Sequence, residues 1–424
     1  MNKSLKSVGL FLVVAGTTVF FSFLLIPETK NTHNKDSTPL AQNDRPRQFF
    51  GGITAQDADT AAQSFAQVTK DKPLTLPNDH KSHPDYQLEW WYLTFVLEDD
   101  NKNEYGLQYT LFRFKSPSSN KASESNWANT QQWMGHVSLH TNTQHYFEER
   151  FAAGGVGNAY VNDSPFEAII DDWSWRTSAS NNNLSMFPSS LNLSLKNKNA
   201  TGKSSPSKDQ ALALGEAVSI DLSLDTSGPF VKQGDNGYSR KTLDERLRSY
   251  YYSQPFINAK GNLLINGKSI GVKGLGWFDH EWTSHLANSD AMGWDWFSLH
   301  LDNGDKLMAF RMHSAPSSSA TALSDIFTTG TYITSSGLKK TLSDEQLSVI
   351  PVENETIATR TGPRDIPTSW RIVLKDTASD LALDLSISPF KANQWNESAF
   401  PYYEGRVNVS GTHTGKGFLE LTGY

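Results

Sequence analysis

The 424-residue sequence lacks several features that would assign it to a function class. It contains no cysteine, which excludes disulfide bonds, thiol nucleophiles and metal sites built on cysteine. It has no block of lysine or arginine and a formal net charge of −7, which argues against a surface that binds nucleic acid. A nucleotide-binding or flavin-binding motif is also missing. These absences predict a protein that works without a cofactor and without a nucleic-acid partner.

The first 27 residues have the composition of an export signal or a membrane anchor. Lys3 and Lys6 precede an uncharged, apolar run over residues 7–27, and this order is typical of a secretory signal or an uncleaved anchor. The run is about as long as the roughly 20 residues that cross a bilayer. Because Ile26-Pro27-Glu28 is a poor cleavage site, we expect an exported protein in the periplasm that residues 7–27 anchor to the inner membrane. A cleaved signal peptide over residues 1–27 is the alternative.

After a polar linker predicted over residues 28–75, one pattern occurs twice in the chain. The first copy opens with Glu89-Trp90-Trp91-Tyr92 and the second with Gly293-Trp294-Asp295-Trp296. So long a period indicates two related domains in tandem and excludes a solenoid of short repeats. We predict an N-terminal domain over residues 76–284 and a C-terminal domain over residues 285–424. Further matched segments are Ser219–Leu224 with Ala382–Ile387, Tyr251-Tyr252 with Tyr402-Tyr403, and Gly276–Asp279 with Gly417–Glu420.

Both copies have the hydrophobic alternation of β-strands. Apolar and polar residues alternate over residues 218–224 and again over residues 381–387, the pattern of a sheet with one solvated face. A helix is predicted only over Leu243–Arg248 and around Ala58–Thr69. Many short strands without alternating helices predict an all-β fold of two tandem antiparallel β-barrels. A barrel of about eight strands can hold a small or elongated ligand.

Long aromatic motifs between about Leu76 and Tyr424 resemble those of one bacterial family. They include Glu89–Tyr92, Tyr250–Ser253, Trp277–Trp282, Gly293–Ser298 and Leu419–Tyr424. The family is the AttH-like group of exported two-domain lipocalin-like (calycin) proteins, which is related to the carotenoid 1,2-hydratases, also called hydroxyneurosporene synthases. The resemblance implies two lipocalin-like barrels and a hydrophobic small-molecule partner such as an isoprenoid, a carotenoid or a lipid. A membrane transporter is a further conceivable partner that the sequence does not identify.

The segment around Asp279 holds the densest cluster of titratable and aromatic groups in the sequence. In a strand, Trp277, Asp279 and Glu281 face one side, and the residues between them face the other. An apolar environment raises the pKa of a carboxylic acid and keeps it protonated, as protonation of an unactivated alkene requires. Aromatic faces can then stabilise the resulting carbocation.

The resemblance to the hydratases assigns this acid role to Asp279. It implies that Tyr250, Tyr252 and Trp277 surround the carboxyl group, although the tyrosines stand where the hydratases carry a histidine and a tryptophan. Other candidates for contact with a ligand are Trp294, Trp296, Glu281 and Trp282.

Asp279 has two further interpretations, and the function depends on which one holds. It can be a structural carboxylate that pairs with Arg113, Arg311 or Arg406, or it can contact a ligand without reacting. We favour a protein that binds or handles a hydrophobic ligand. The alternative is a cofactor-independent isoprenoid 1,2-hydratase, a hydro-lyase with Asp279 as general acid. A cavity in front of Asp279 favours the hydratase, and a buried ion pair favours a structural role.

The duplication also makes a geometric prediction about equivalent residues. If the copies are related barrels, Trp91 should superpose on Trp296, and Asp279 should superpose on Glu420. Both tryptophans lie near the start of a strand, where lipocalins pack a tryptophan at the floor of the barrel.

Two short motifs are interpreted without a catalytic or metal-binding role. Gly267-Lys268-Ser269-Ile270-Gly271 matches the esterase pattern, but it follows the hairpin signal Asn266-Gly267 and continues as a strand. His280, Glu281 and His285 have one residue too many for the zinc motif H-E-x-x-H. With His80 and His83 also interpreted as solvated or capping residues, no metal site is predicted.

Overall fold

The computed structural model describes residues 65–116, 130–178, 185–196, 216–285, 292–314, 327–379 and 381–424. Their regular structure is 23 antiparallel strands and one short 3-10 helix, Asn78–His80. The predicted all-β fold is confirmed. Among these residues no helix is long and apolar enough to cross a membrane, and the anchor predicted over residues 7–27 lies outside them.

The first sheet contains thirteen strands in the described part of the chain and curls into a nearly closed barrel. Its strands are β1 (Leu88–Asp99), β2 (Glu104–Lys115), β3 (Gln131–His140), β4 (His145–Ala153), β5 (Ala159–Asp163), β6 (Phe166–Ile170), β7 (Trp173–Thr177), β8 (Ser189–Lys196), β9 (Glu216–Thr226), β10 (Val231–Lys232), β11 (Tyr238–Arg240), β12 (Arg248–Ile265) and β13 (Lys268–Thr283). They are ordered β4-β3-β2-β1-β13-β12-β9-β8-β7-β6-β5, with β10 and β11 paired to β12. The curvature brings β3 against β6 and β4 against β8.

The second sheet contains ten strands within the same described ranges. Its strands are β14 (Met292–Leu301), β15 (Lys306–Ser314), β16 (Phe327–Ile333), β17 (Lys339–Leu342), β18 (Leu347–Thr359), β19 (Gly362–Asp376), β20 (Leu381–Pro389), β21 (Trp395–Asn396), β22 (Tyr402–Gly411) and β23 (Gly415–Leu421). They are ordered β17-β16-β15-β14-β23-β22-β20-β19-β18, with β21 paired to β22. The boundary that we predict between residues 284 and 285 lies in the connection from β13 to β14.

The two sheets repeat one topology, as the duplicated sequence pattern predicts. In the first sheet the order from β4 to β7 is β4-β3-β2-β1-β13-β12-β9-β8-β7. The second sheet has the equivalent order β17-β16-β15-β14-β23-β22-β20-β19-β18. Glycines recur at equivalent positions: Gly261 lies opposite Leu222 and Gly411 lies opposite Leu385. A Cβ atom at these glycines would lie 1.9 and 2.2 Å from a carbonyl oxygen of the neighbouring strand, so the close approach requires glycine in both copies.

The strand register corrects one of the two predicted equivalences. Asp279 pairs with Tyr92 on β1, and Glu420 pairs with Trp296 on β14, so Asp279 and Glu420 occupy equivalent positions. The residue equivalent to Trp296 is therefore Tyr92. The prediction for Trp91 is wrong by one residue, and because side chains alternate along a strand, Trp91 faces the core of the first barrel instead.

Three hydrophobic clusters account for the packing. One fills the first barrel, one fills the second sheet, and a third lies between the sheets. This third group, the inter-sheet cluster, is mainly aromatic residues and methionines, including Tyr92, Tyr251, Trp277, Trp296, Met308 and Phe310. The outer faces of both sheets are therefore apolar where they meet.

Two local predictions from the sequence do not hold. Residues 243–247 form turns and bends rather than a helix, because β11 and β12 flank them and pair with each other. The described end of the predicted linker is packed rather than solvated, since Val68 and Leu74 are buried in the core of the first barrel. The rest of the helix predicted around Ala58–Thr69 lies outside the described residues, except for residues 65–69, which are not helical.

Candidate active site between the two sheets

The central part of β13 alternates between two environments, as the sequence predicts. Asp279 and Glu281 line a cavity between the sheets, and Trp277 belongs to the inter-sheet cluster on the same face. Phe278 and Trp282 face the core of the first barrel. Because β13 pairs with β1 on one side and β12 on the other, the position of this face is fixed by two neighbours.

The cavity has a volume of about 150 Å³ and is built by both sheets. Most of its lining is aromatic or aliphatic, which suits an apolar ligand. Carboxyl groups reach it from both sides, Asp279 from the first sheet and Glu420 from the second. The remaining lining residues include Leu88, Trp90, Tyr92, Phe112, Lys241, Tyr251, Glu281, Trp294, Trp296, Phe310, Met312 and Tyr402.

Neutral donors hold the buried carboxyl group of Asp279. Its Oδ1 accepts hydrogen bonds from Ser253 Oγ at 2.5 Å and from Trp277 Nε1 at 2.7 Å. Its Oδ2 accepts one from Tyr251 Oη at 2.8 Å, and that phenol oxygen accepts one from Trp296 Nε1 at 3.2 Å. The group is thus fixed in orientation by side chains that carry no charge.

No cation neutralises Asp279 among the described residues. The arginines that the sequence offers as partners pair with other carboxylates: Arg113 with Glu89, Arg311 with Asp295, and Arg406 with Glu104. Burial raises the pKa of Asp279 from 3.8 to about 7, although hydrogen bonds from Ser253, Trp277 and Tyr251 act to lower it. A carboxyl group with this pKa is protonated in a large fraction of molecules at neutral pH, as a general acid must be.

The structure corrects the predicted surroundings of Asp279. Tyr250 and Tyr252 lie in the core of the first barrel, on the opposite face of β12 from the cavity. The tyrosine that contacts Asp279 is Tyr251, which the sequence analysis did not select. Strand alternation is the signal that identifies it, because Ser253 pairs directly with Asp279 and Tyr251 shares its face.

Of the other predicted ligand contacts, some line the cavity and one faces the barrel core. Trp294, Trp296 and Glu281 line the cavity. Trp282 does not, because it faces the barrel core and stacks on His83 with a centroid distance of 3.8 Å. Glu281 is neutralised in place by Lys241, whose Nζ lies 2.8 Å from its Oε1.

A second acidic centre, which the sequence analysis did not identify, lies on the other side of the cavity. Glu404 is buried, Glu420 is partly buried, and the two lie directly opposite each other on β22 and β23. Tyr92 Oη donates to Glu404 at 2.5 Å, and Trp294 Nε1 donates to Glu420 at 2.8 Å. Burial raises the pKa of Glu420 to about 7, and burial together with the neighbouring Glu420 raises the pKa of Glu404 well above its usual range.

The interior of the first barrel contains a separate network around Glu89. Its carboxylate accepts a hydrogen bond from Arg113 Nε at 2.8 Å and lies within hydrogen-bond distance of His83 and His280. The positive charges of Arg113 and His83 hold the pKa of Glu89 well below its usual range, although burial raises it. Ligand atoms of His83, Glu89 and His280 lie within 4.8 Å of one another, but a guanidinium group in contact with the carboxylate opposes binding of a cation.

The remaining motifs behave as structural features. His280 and Glu281 face opposite sides of β13, so they cannot join His285 in one ligand set. His80 and His83 are buried rather than solvated, and His80 Nδ1 lies 2.8 Å from Tyr252 Oη. Ser269 is exposed just after a hairpin turn in which Asn266 and Gly267 have φ values of 51° and 80°, so no oxyanion site surrounds it.

Comparison with known proteins identifies the family. The family model described as AttH-like matches residues 67–424. An AttH protein from Nitrosomonas europaea is 26% identical, with a TM-score of 0.67 over 85% of this chain and 99% of its own. Kievitone hydratase from Nectria haematococca is 14% identical, with a TM-score of 0.56 over 85% of this chain and 96% of its own. None of the curated protein sequences is significantly similar. With two matching sheets and a family match that spans both of them, the chain belongs to the AttH-like family.

Proposed function

We propose that this protein adds water to an unactivated carbon–carbon double bond of a hydrophobic substrate, with Asp279 as the general acid. The observation that carries the proposal is the environment of Asp279, a buried carboxyl group that faces an apolar cavity and has no cationic partner among the described residues. A structural carboxylate in such a place is normally paired with a charge.

The geometry of the site favours proton transfer to carbon. Burial keeps Asp279 protonated before reaction, and donors from Ser253, Trp277 and Tyr251 stabilise the carboxylate that forms when the proton leaves. Oδ2 accepts only one of these hydrogen bonds, so it is the oxygen better suited to carry the acidic proton. The cation forms among aromatic rings, and Trp296 packs edge-on against Tyr92 with a centroid distance of 5.1 Å.

The substrate class that fits best is an isoprenoid. Protonation of a trisubstituted isoprenoid terminus gives a tertiary carbocation, the type that an aromatic site without a metal can stabilise. The apolar wall adds about 0.8 kcal/mol of binding free energy for each buried CH₂ group. The fold that the chain shares with kievitone hydratase supports a hydratase-type reaction, and the sequence motifs resemble those of the carotenoid hydratases.

A second candidate function is binding or transport of a hydrophobic ligand without turnover. The apolar lining of the cavity favours this candidate as well. In either case we propose that residues 1–27 direct the protein to the periplasm and that residues 7–27 hold it at the inner membrane, where isoprenoids and lipids are available.

The test is incubation of the purified full chain with farnesol, geranylgeraniol and lycopene, followed by mass spectrometry of the products. We expect a product heavier by one water, which Asp279→Asn abolishes. Asp221→Asn is the matched control, because Asp221 is exposed on β9 and does not line the cavity. Retention of substrate without any hydrated product in the wild type would favour the binding function and refute the enzyme.

A further inference from the structure

We propose that Glu404 and Glu420 form a second acid–base centre, which takes the proton from the attacking water and passes it through Tyr402, His136 and Glu149 to solvent. This inference rests on the proposed hydratase function. It assigns a base to the second half of the reaction, in which water attacks the carbocation and loses a proton. Asp279 lies on the first sheet, so it does not reach a water molecule on the face of the substrate that the second sheet covers.

The two glutamates are placed as a pair by the strand register. They are direct partners on antiparallel β22 and β23, and side chains in such positions have Cβ atoms about 4.5–5.5 Å apart. Glu404 is buried and Glu420 is partly buried, and within the described ranges neither forms an ion pair with lysine, arginine or histidine, since the nearby Arg406 and Lys416 pair with Glu104. Each accepts a hydrogen bond from a neutral aromatic donor of the inter-sheet region, Tyr92 for Glu404 and Trp294 for Glu420.

Two carboxyl groups in this arrangement do not both ionise. Like charges at short distance in a medium of low dielectric constant disfavour the doubly ionised state, so the pair retains one proton and one negative charge. The raised pKa values of Glu404 and Glu420 agree with this state. The pair can therefore accept a proton from water, and the neutral pair that results is compatible with an apolar site.

Glu420 and Asp279 reach the cavity from opposite sheets. A double bond held between the sheets therefore presents one face to the acid and the other to the glutamate pair. Water bound beside Glu420 is in position to attack the carbocation from the face that Asp279 does not occupy. The cavity thus separates the proton donor from the proton acceptor.

A chain of hydrogen-bonding groups connects the glutamate pair with the surface. Tyr402 lies two positions before Glu404 on the same face of β22, and burial together with the negative charge of Glu404 raises the pKa of Tyr402. Tyr402 Oη lies 3.0 Å from His136 Nδ1, and His136 Nε2 lies 3.0 Å from Glu149 Oε1. The side chain of Glu149 is 17% exposed whereas that of His136 is 1% exposed, so the chain ends at solvent.

The proton balance closes with these groups. The O–H bond of Asp279 breaks and a C–H bond forms, which leaves a carboxylate and a carbocation. The water oxygen then forms a C–O bond, and one of its protons moves to the Glu404–Glu420 pair. That proton leaves through Tyr402, His136 and Glu149, and Asp279 regains a proton from water that enters the emptied cavity. The net change is addition of one water to the double bond.

The test compares Glu420→Gln with Asp279→Asn in deuterium oxide, with farnesol as substrate. In Glu420→Gln we expect hydration to fall by about 10²–10⁴-fold, the usual contribution of a general base. Asp279 still protonates the alkene, so the carbocation loses a proton again and deuterium accumulates in recovered farnesol. In Asp279→Asn both hydration and deuterium exchange should be lost.

The outcomes separate this inference from the function on which it rests. Hydration that Glu420→Gln leaves unchanged overturns the glutamate pair and leaves the role of Asp279 intact. Loss of hydration and exchange together in Glu420→Gln, with the protein folded by circular dichroism, also overturns it, because it indicates a structural role. A wild-type protein that neither hydrates farnesol nor exchanges deuterium into it overturns both proposals.

The proton path through Tyr402, His136 and Glu149, which we call the relay, is tested separately with His136→Ala. We expect hydration to slow by at least tenfold and to recover when imidazole is added, because a small base can replace the missing ring in the buried space between Tyr402 and Glu149. His145→Ala is the matched control, a histidine on the neighbouring strand β4 that bonds Ser138 instead of the relay. Slow turnover in His136→Ala that imidazole does not restore contradicts the relay.

Discussion

Two kinds of carboxyl group in the described residues differ in their location and in their partners. Inside the barrels they are paired with arginine, as Glu89 is with Arg113 and Asp295 with Arg311. Between the barrels, Asp279 and Glu404 are buried and Glu420 is partly buried, and none of the three has a cationic partner among the described residues, whereas Glu281 pairs with Lys241. The first kind stabilises the fold, and the unpaired groups are those to which we assign chemistry. The absence of a compensating charge, rather than burial alone, marks the candidate active site.

The two acidic centres of the cavity also differ from each other in the residue beside the acid. Asp279 and Glu420 are equivalent in the duplicated topology, but the strand neighbour is Ser253 in the first copy and Glu404 in the second. A hydroxyl donor beside an acid stabilises the carboxylate after proton transfer, whereas a second acid forces the two groups to share a proton. The exchange of Ser253 for Glu404 between the copies thus accounts for the different roles that we propose for Asp279 and Glu420.

The largest expected effect is on turnover in Asp279→Asn. An amide has nearly the shape of the carboxylic acid but cannot donate a proton to carbon, so hydration should fall by about 10²–10⁴-fold. Product formation from farnesol measures it. Binding of farnesol, followed by quenching of tryptophan fluorescence, should persist. Equal loss of binding and turnover would instead indicate that Asp279 only shapes the cavity.

The next largest effect is on stability in Glu89→Gln. Removal of the carboxylate leaves the charge of Arg113 buried without its partner, which typically costs about 3–5 kcal/mol of unfolding free energy. Urea denaturation measures the loss. The matched control is Asp384→Asn, which breaks an exposed pair with Arg371 and should leave the unfolding free energy almost unchanged, because solvent screens the pair. If both variants lost the same free energy, burial of the Glu89–Arg113 pair would not account for its contribution to stability.

A third prediction concerns the pH dependence of stability. The pKa of Asp279 is about 7 in the folded chain and near the ordinary 3.8 in the unfolded chain, so between these values the folded chain binds more protons. Its contribution therefore stabilises the fold at acidic pH and is lost as the pH rises towards 7 and beyond. The melting temperature of Asp279→Asn should rise relative to that of the wild type between pH 5 and pH 8. A variant that melts lower than the wild type at pH 8 would point to a structural ion pair.

The smallest effect is expected for Tyr251→Phe. The hydrogen bond from Tyr251 to the Asp279 carboxylate is lost, and a hydrogen bond to a charged group contributes about 1.5–3 kcal/mol, so turnover should fall by roughly 10–100-fold. Tyr250→Phe is the matched control, because Tyr250 faces the barrel core and bonds the backbone of Thr69. Equal activity of the two variants would remove Tyr251 from the site.

The sequence is enough to predict the fold and the part of the candidate site that lies on β13. Strict alternation over residues 218–224 and 381–387 predicts strands that the structure contains, because a sheet face buried on one side imposes a period of two. The same period places Asp279 and Glu281 on one face. It also identifies Tyr251 and Glu404 once the partner strands are known, since Ser253 and Glu404 are the direct neighbours of Asp279 and Glu420.

The sequence does not predict where the cavity lies. A lipocalin-like barrel leads to the expectation of a ligand inside the barrel, but the interior of the first barrel is filled by tryptophans and by the network around Glu89. The cavity instead uses outer faces of two sheets, and their approach depends on long-range contacts such as Tyr92 to Glu404. No local pattern encodes a contact between residues so far apart in the chain.

The position of the cavity between two halves of one chain has a consequence for how its chemistry could diverge. Two separate copies of a single barrel would form such a site only with two-fold symmetry, and symmetry would give both walls the same acid. Joined in tandem, the walls stay at an effective concentration on the order of millimolar whatever the amount of protein. Each wall is also encoded separately, so Asp279 and Glu420 are free to differ. A duplicated sequence can thus build an asymmetric cavity that a symmetric dimer of the same barrel cannot have.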